Sequence, residues 1–202
     1  TYLRSKCDYN LDALSFIHEN KCSENERLTN KLTSFLFVSV FLLAGMAQAA
    51  VPRISSTFKK QGQYLTEGVF TGGKAGKGFS ILDIRRKLSK KTKRDRWVVE
   101  IGDVYLKPMT RDVPYFHVAV SEDPARITID LYQVHRSKLN ENAIREILTK
   151  SPYVRDVSMI YNSVEGGMNF VVSLVRPANV EVFKMPANTK SSRLVIDIVP
   201  ST

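Results

Sequence analysis

Eight basic side chains crowd one stretch of a dozen positions: Arg85, Arg86, Lys87, Lys90, Lys91, Lys93, Arg94 and Arg96, with Asp95 the one acid among them. Guanidinium and ammonium groups at this density offer charge-assisted hydrogen bonds to carboxylates or phosphates. Arg85, Arg86, Lys87, Lys90, Lys91, Lys93 and Arg94 are therefore the candidate ligand-binding residues. The competing reading is a solvated loop whose charges keep a sheet edge from pairing with other chains. The whole chain shares the bias, with 30 Lys and Arg against 20 Asp and Glu, a formal net charge of +10. Such a balance favours an anionic partner: a polyanionic wall, an acidic lipid surface or nucleic acid. Anionic headgroups attract the same charges, so the cluster alone does not separate wall from membrane.

Other chemistry finds little support. A metal hydrolase needs a cluster of His and acidic ligands. Beyond residue 49 only His117 and His135 remain, and neither has a second His at ligand spacing. His117 shares a strand face with Tyr115 and Ala119 and reads as a core or half-buried packing residue; His135 sits in a polar linker beside Arg136. Cys7 and Cys22 are the only cysteines, and no nucleophile elbow is present. Thr71–Gly78 is rich in Gly and Lys but fails as a phosphate loop: Thr71 stands where the first Gly belongs, and Gly78 where Ser or Thr belongs. It reads as a mobile loop. The expectation is a non-enzyme with no catalytic residue, no metal and no cofactor.

The elements that hold these residues are strands. Arg126-Ile127-Thr128-Ile129-Asp130-Leu131 and Arg193-Leu194-Val195-Ile196-Asp197-Ile198 share one pattern, Arg, aliphatic, β-branched, Ile, Asp, aliphatic. Each closes a similar run: strands at 79–86, 96–101, 115–120 and 126–131, then at 154–161, 170–175, 180–183 and 193–198. The period is two residues. Lys87 to Asp95 reads as a polar connection. Between the runs the period changes. Asn140 caps a predicted helix over 141–150, with Leu139 and Ile144 as a hydrophobic staple and Pro152 marking its end. The fold class is mainly β: a duplicated β-sandwich of two four-stranded sheets with one short linking helix. Asp130 and Asp197 then occupy matched positions. Each is a ligand-binding carboxylate or a structural partner of an Arg, and duplication favours the structural role.

Residues 28–49 have the form of a secretory signal: Lys31, an apolar run Phe35–Ala44, and Ala47-Gln48-Ala49 for cleavage after Ala49. Residues 1–27 lie on the wrong side of it and read as an upstream extension, not necessarily translated. The alternative is an inner-membrane anchor over residues 32–52. Residues 50–78 read as a flexible lead-in, with a short strand near Tyr64–Phe70, and 79–202 as the β domain. Export makes nucleic acid the least expected partner. Residues 1–49 hold five charges of each sign, so the net charge stays +10 from Ala50 onward.

Pro124-Ala125-Arg126-Ile127-Thr128-Ile129-Asp130-Leu131 resembles the Pro-x-Arg-aliphatic-x-aliphatic-Asp-aliphatic signature of the AMIN domain. Val154-Arg155-Asp156-Val157 resembles that family's Val-Arg-x-Val strand. Phe170–Pro177, Val180–Phe183 and Arg193–Ile198 resemble its closing strands in order. The resemblance spans about 79–199. It implies two symmetric four-stranded sheets and a periplasmic, non-catalytic targeting module that binds peptidoglycan, as found beside cell-wall amidases and secretins in Gram-negative bacteria. No amidase or secretin domain is expected to follow, and the basic stretch 85–96 departs from the family pattern. The expected role is thus peptidoglycan binding by a standalone AMIN-type module, with docking on a secretin or division complex of the envelope as the alternative.

Overall fold

The computed structural model describes residues 50–57, 59–76, 78–110, 113–162, 166–185 and 191–201. The expected upstream extension and signal sequence, and the anchor alternative up to residue 49, lie outside the described residues. Strict alternation builds the strands. On Ala125–Tyr132, Ile127, Ile129 and Leu131 are buried, while Thr128 and Asp130 between them face outward. A period of two gives such a strand one face for the core and one for solvent.

In chain order the strands are β1 (Arg53–Ser55), β2 (Gly68–Gly72), β3 (Phe79–Ser89), β4 (Arg94–Gly102), β5 (Phe116–Glu122), β6 (Ala125–Tyr132) and β7 (Val134–Ser137). Helix α1 (Glu141–Thr149) follows, then β8 (Val154–Asn162), β9 (Gly167–Leu174), β10 (Ala178–Met185) and β11 (Ser192–Pro200). They form a six-stranded sheet, β1-β2-β5-β6-β9-β8, and a five-stranded sheet, β10-β11-β4-β3-β7. β1 runs parallel to β2 and β7 parallel to β3; the other pairings are antiparallel. Phe70, Phe116, Ile127 and Phe170 from the first sheet share one core with Trp97, Ile101, Ile196 and Ile198 from the second. The fold is mainly β, as expected.

The sheets are wider than the expected four strands each. Residues 50–78, expected as a lead-in with one short strand near Tyr64–Phe70, supply two strands to the first sheet, β1 and, overlapping the expected one, β2. Phe70 drives this, because its ring is fully buried and β2 pairs with β5 along its length. Beyond β2 the chain turns at Gly73, whose φ is +84° and where a Cβ would meet the Pro114 carbonyl oxygen at 2.0 Å. Only glycine fits such a contact at positive φ. β7 widens the second sheet, so His135 lies on a strand, where a polar linker is expected.

The helix forms as predicted, one residue shorter. The Asn140 side chain accepts a hydrogen bond from the Ala143 amide at 2.8 Å, and Ile144 and Leu148 are buried against β8 and β3. Ile129→Val removes one methylene from the shared core and is expected to cost about 1 kcal/mol in urea unfolding. An unchanged midpoint would place Ile129 outside the core.

Candidate functional site

The basic cluster lies on the β3–β4 hairpin, and that hairpin is longer than its polarity implies. Residues 87–95, expected as a connection, extend β3 to Ser89 and start β4 at Arg94, leaving residues 90–93 as the turn. Lys93 takes the left-handed conformation there, φ +50°. Tyr153 pins the turn by donating its hydroxyl to the Lys93 carbonyl at 2.5 Å.

Pairing register then sorts the cations. Arg86 points inward, and its Nε donates to the buried Asp95 carboxylate at 2.7 Å. Trp97 Nε1 donates to the same oxygen at 3.2 Å. Arg86 is thus a structural cation and leaves the ligand-binding set. Arg85 faces outward but is held by Glu100 at 2.7 Å and Asp83 at 3.1 Å. Burial pushes the Glu100 carboxyl up, but the Ser191 hydroxyl, Arg85 and Arg193 outweigh it and hold it below its ordinary value. Arg94 lies 3.7 Å from Asp197. Lys87, Lys90, Lys91 and Lys93 remain exposed, and none has an ion-pair partner among the described residues. Beside them a groove of about 360 Å³ runs over the outer face of the second sheet, lined by the side chains of Arg85, Lys87, Arg96, Val98 and Arg193.

Asp197 sits deeper in this face and is fully buried. Arg96 grips it with two bonds, Nε to Oδ1 at 2.6 Å and a terminal nitrogen to Oδ2 at 2.7 Å. Lys60 adds a bond at 3.0 Å and also meets the buried Glu181 at 3.4 Å. The amides of Gln61 and Gly62 donate to Glu181 at 2.9 and 2.6 Å. Burial pushes the Asp197 carboxyl up, yet the bonds and charges of Arg96 and Lys60 hold it below the ordinary carboxylate value. The structural role expected for Asp197, pairing an arginine, is what the fold shows.

Asp130 differs. It faces outward from the first sheet, accepts from the Asn169 amide, and lies 3.3 Å from His117 Nδ1. It pairs with no arginine among the described residues. Tyr115 and Tyr132 stand beside it, with ring centroids 5.3 Å apart. Lys60, Glu181 and Asn169 went unmarked in the sequence because their partners are distant in the chain, 137 residues for Lys60 and Asp197. Among the described residues no three His, Cys, Asp or Glu side chains gather into a metal site, and no helix is long and apolar enough to cross a membrane. No protein-family model matches the chain, and no curated protein matches it.

Proposed function

We propose that this chain is a non-catalytic envelope module that binds peptidoglycan, or another anionic polymer of the envelope, through the tip of the β3–β4 hairpin. One observation carries the reading: three exposed lysines stand on a braced turn and a fourth, Lys87, on the strand leading into it, while the cations around them are already matched to carboxylates. A merely solvated loop does not require that sorting. Peptide stems of the wall offer free carboxylates, which exposed ammonium groups engage by charge-assisted hydrogen bonds.

The AMIN resemblance supports the same reading through the strand order. Equating β3-β4-β5-β6 with β8-β9-β10-β11 converts the row β5-β6-β9-β8 of the first sheet into β10-β11-β4-β3 of the second. A duplicated half-domain produces that exchange. β1, β2 and β7 are then additions at the edges of two four-stranded cores. In this reading the protein is exported to the periplasm and residues 28–49 serve as the signal.

Co-sedimentation of the protein with insoluble purified peptidoglycan tests the proposal. The protein is expected to pellet at low ionic strength and to be released as salt rises, since exposed charges are screened over about 8 Å at physiological ionic strength. Amidating the wall carboxylates is expected to abolish pelleting at either salt. Protein that stays in the supernatant at low salt would move the assignment to docking on an envelope protein complex.

A further inference from the structure

The two sheets carry matching rows of side chains on their outer faces. Across β10, β11, β4 and β3 the second sheet sets Glu181, Asp197, Arg96 and Lys87 in register. Across β5, β6, β9 and β8 the first sheet sets His117, Asp130, Asn169 and Ile160 in register. In the second sheet the aspartate is saturated from within. Arg96 takes both oxygens, and the Lys60 ammonium closes over it from the segment between β1 and β2, 5.2 Å from the Tyr64 ring centroid and 2.8 Å from the Tyr64 hydroxyl. This fold already seats an alkylammonium between an aspartate and a tyrosine ring.

The first sheet also places an aspartate beside a tyrosine, Asp130 beside Tyr132. Asn169 stands in the place of Arg96 and brings no charge. Among the described residues no Lys or Arg reaches Asp130. Its side chain keeps 28% exposure, against none for Asp197. A carboxylate has about four acceptor positions, and Asn169 and His117 account for two. Beside it a depression of about 360 Å³ opens, lined by Asp130, Tyr132, Ile160, Gly167, Met168 and Asn169. Gly167 pairs with Tyr132 across the strands, and a Cβ there would meet only the Leu131 carbonyl oxygen at 3.5 Å, so the floor is open. Tyr115 braces Tyr132, and Ile160, 61% exposed, forms an apolar wall.

We propose that this depression is a binding site for a primary amine on an apolar stem, its ammonium on Asp130, its charge beside the Tyr132 ring and its stem against Ile160. Carboxylate and aromatic face together are the elements that select an organic cation over a neutral chain. The site reads the opposite charge from the hairpin lysines, so it goes beyond the wall-binding reading and stands or falls separately.

Titration with Nα-acetyl-lysine methylamide, followed by ¹H–¹⁵N correlation spectra, tests it. Saturable shifts are expected at the amides of Asp130, Gly167 and Asn169, and none with the norleucine analogue, which lacks the charge. Asp130→Asn keeps the size of the side chain and is expected to weaken binding about 10- to 100-fold through loss of a charge-assisted bond. Tyr132→Ala, a second variant clear of that carboxylate, is expected to weaken it about fivefold. Serine at Lys87, Lys90, Lys91 and Lys93 is expected to leave it unchanged, whatever that variant does to wall binding. Equal shifts with norleucine, unchanged affinity in Asp130→Asn, or no shift at about 50 mM, well above the millimolar range of a single-group contact, would each overturn the site.

Discussion

Arg96→Ala is expected to lower the unfolding free energy by about 3 kcal/mol, because removing one partner of a buried pair strands the other charge. Asp197 has no exposed surface, and Arg96 supplies both of its shortest bonds, at 2.6 and 2.7 Å. Lys60 at 3.0 Å remains after the substitution, which keeps the loss near the lower end of the range for such pairs. The guanidinium also lies 5.5 Å from the Phe183 ring, and that contact is lost with it. Replacing both partners, Arg96→Met with Asp197→Leu, is expected to cost far less than Arg96→Ala, since no buried charge is left without its partner. Urea melts of the two variants decide. A cost below about 1 kcal/mol for Arg96→Ala would show that Lys60 alone neutralises Asp197.

The same cluster fixes how stability depends on pH. Asp197 and Glu100 titrate below their ordinary values of 3.8 and 4.5 in the folded chain. A lowered carboxylate contributes its full stabilisation above the unfolded value and loses it as pH falls through the lower folded value. Acid unfolding is therefore expected to begin below about pH 4.5. Arg96→Ala removes most of what lowers Asp197, so its acid limb should move to higher pH. Lys60 shifts the other way. Burial lowers it, but Tyr64 and Asp197 raise it above 10.5. Its contribution is full below that value and fades as pH climbs through the higher folded one.

Alternation made the strands legible where one face was apolar throughout, as in Ile127, Ile129 and Leu131 or Leu194, Ile196 and Ile198. It failed on the hairpin because, Leu88 aside, β3 and β4 are polar on both faces near their turn. The inward pair there is Arg86 with Asp95, an ion pair that fills a place where the pattern demands two apolar residues. The short strand expected near Tyr64–Phe70 overlaps β2 but its bounds were blurred because Phe70 is its one fully buried large side chain, and β7 was obscured because it spans four residues. The basic cluster itself was plain in the sequence. Which of its cations are occupied was not, because register places Arg85 two strands from Arg193 and within reach of Glu100, a contact fifteen positions away. The lead-in hides its contacts for a related reason. Lys60 looks like any solvated lysine until β11 brings Asp197 beneath it.

Serine at Lys87, Lys90, Lys91 and Lys93 together is expected to abolish retention on peptidoglycan at moderate ionic strength and to leave the urea midpoint nearly unchanged. The four side chains are exposed and hold no ion pair among the described residues, so each change falls within about 0.5 kcal/mol of neutral. Binding by several weak, screened contacts is another matter. Each contributes little alone, and removing all four leaves no charge at the tip that is not already engaged by Asp83, Asp95, Glu100 or Asp197. Four arginines in the same places should restore retention, because charge rather than the ammonium shape is what an exposed carboxylate selects. A loss that arginine does not restore would point to the turn conformation, with its left-handed Lys93, as the feature recognised. A serine variant that pellets as fully as the parent chain would exclude the hairpin tip and leave the remaining cations of the groove, Arg85 and Arg193, as the anion-binding surface, where access requires a ligand carboxylate to displace Glu100.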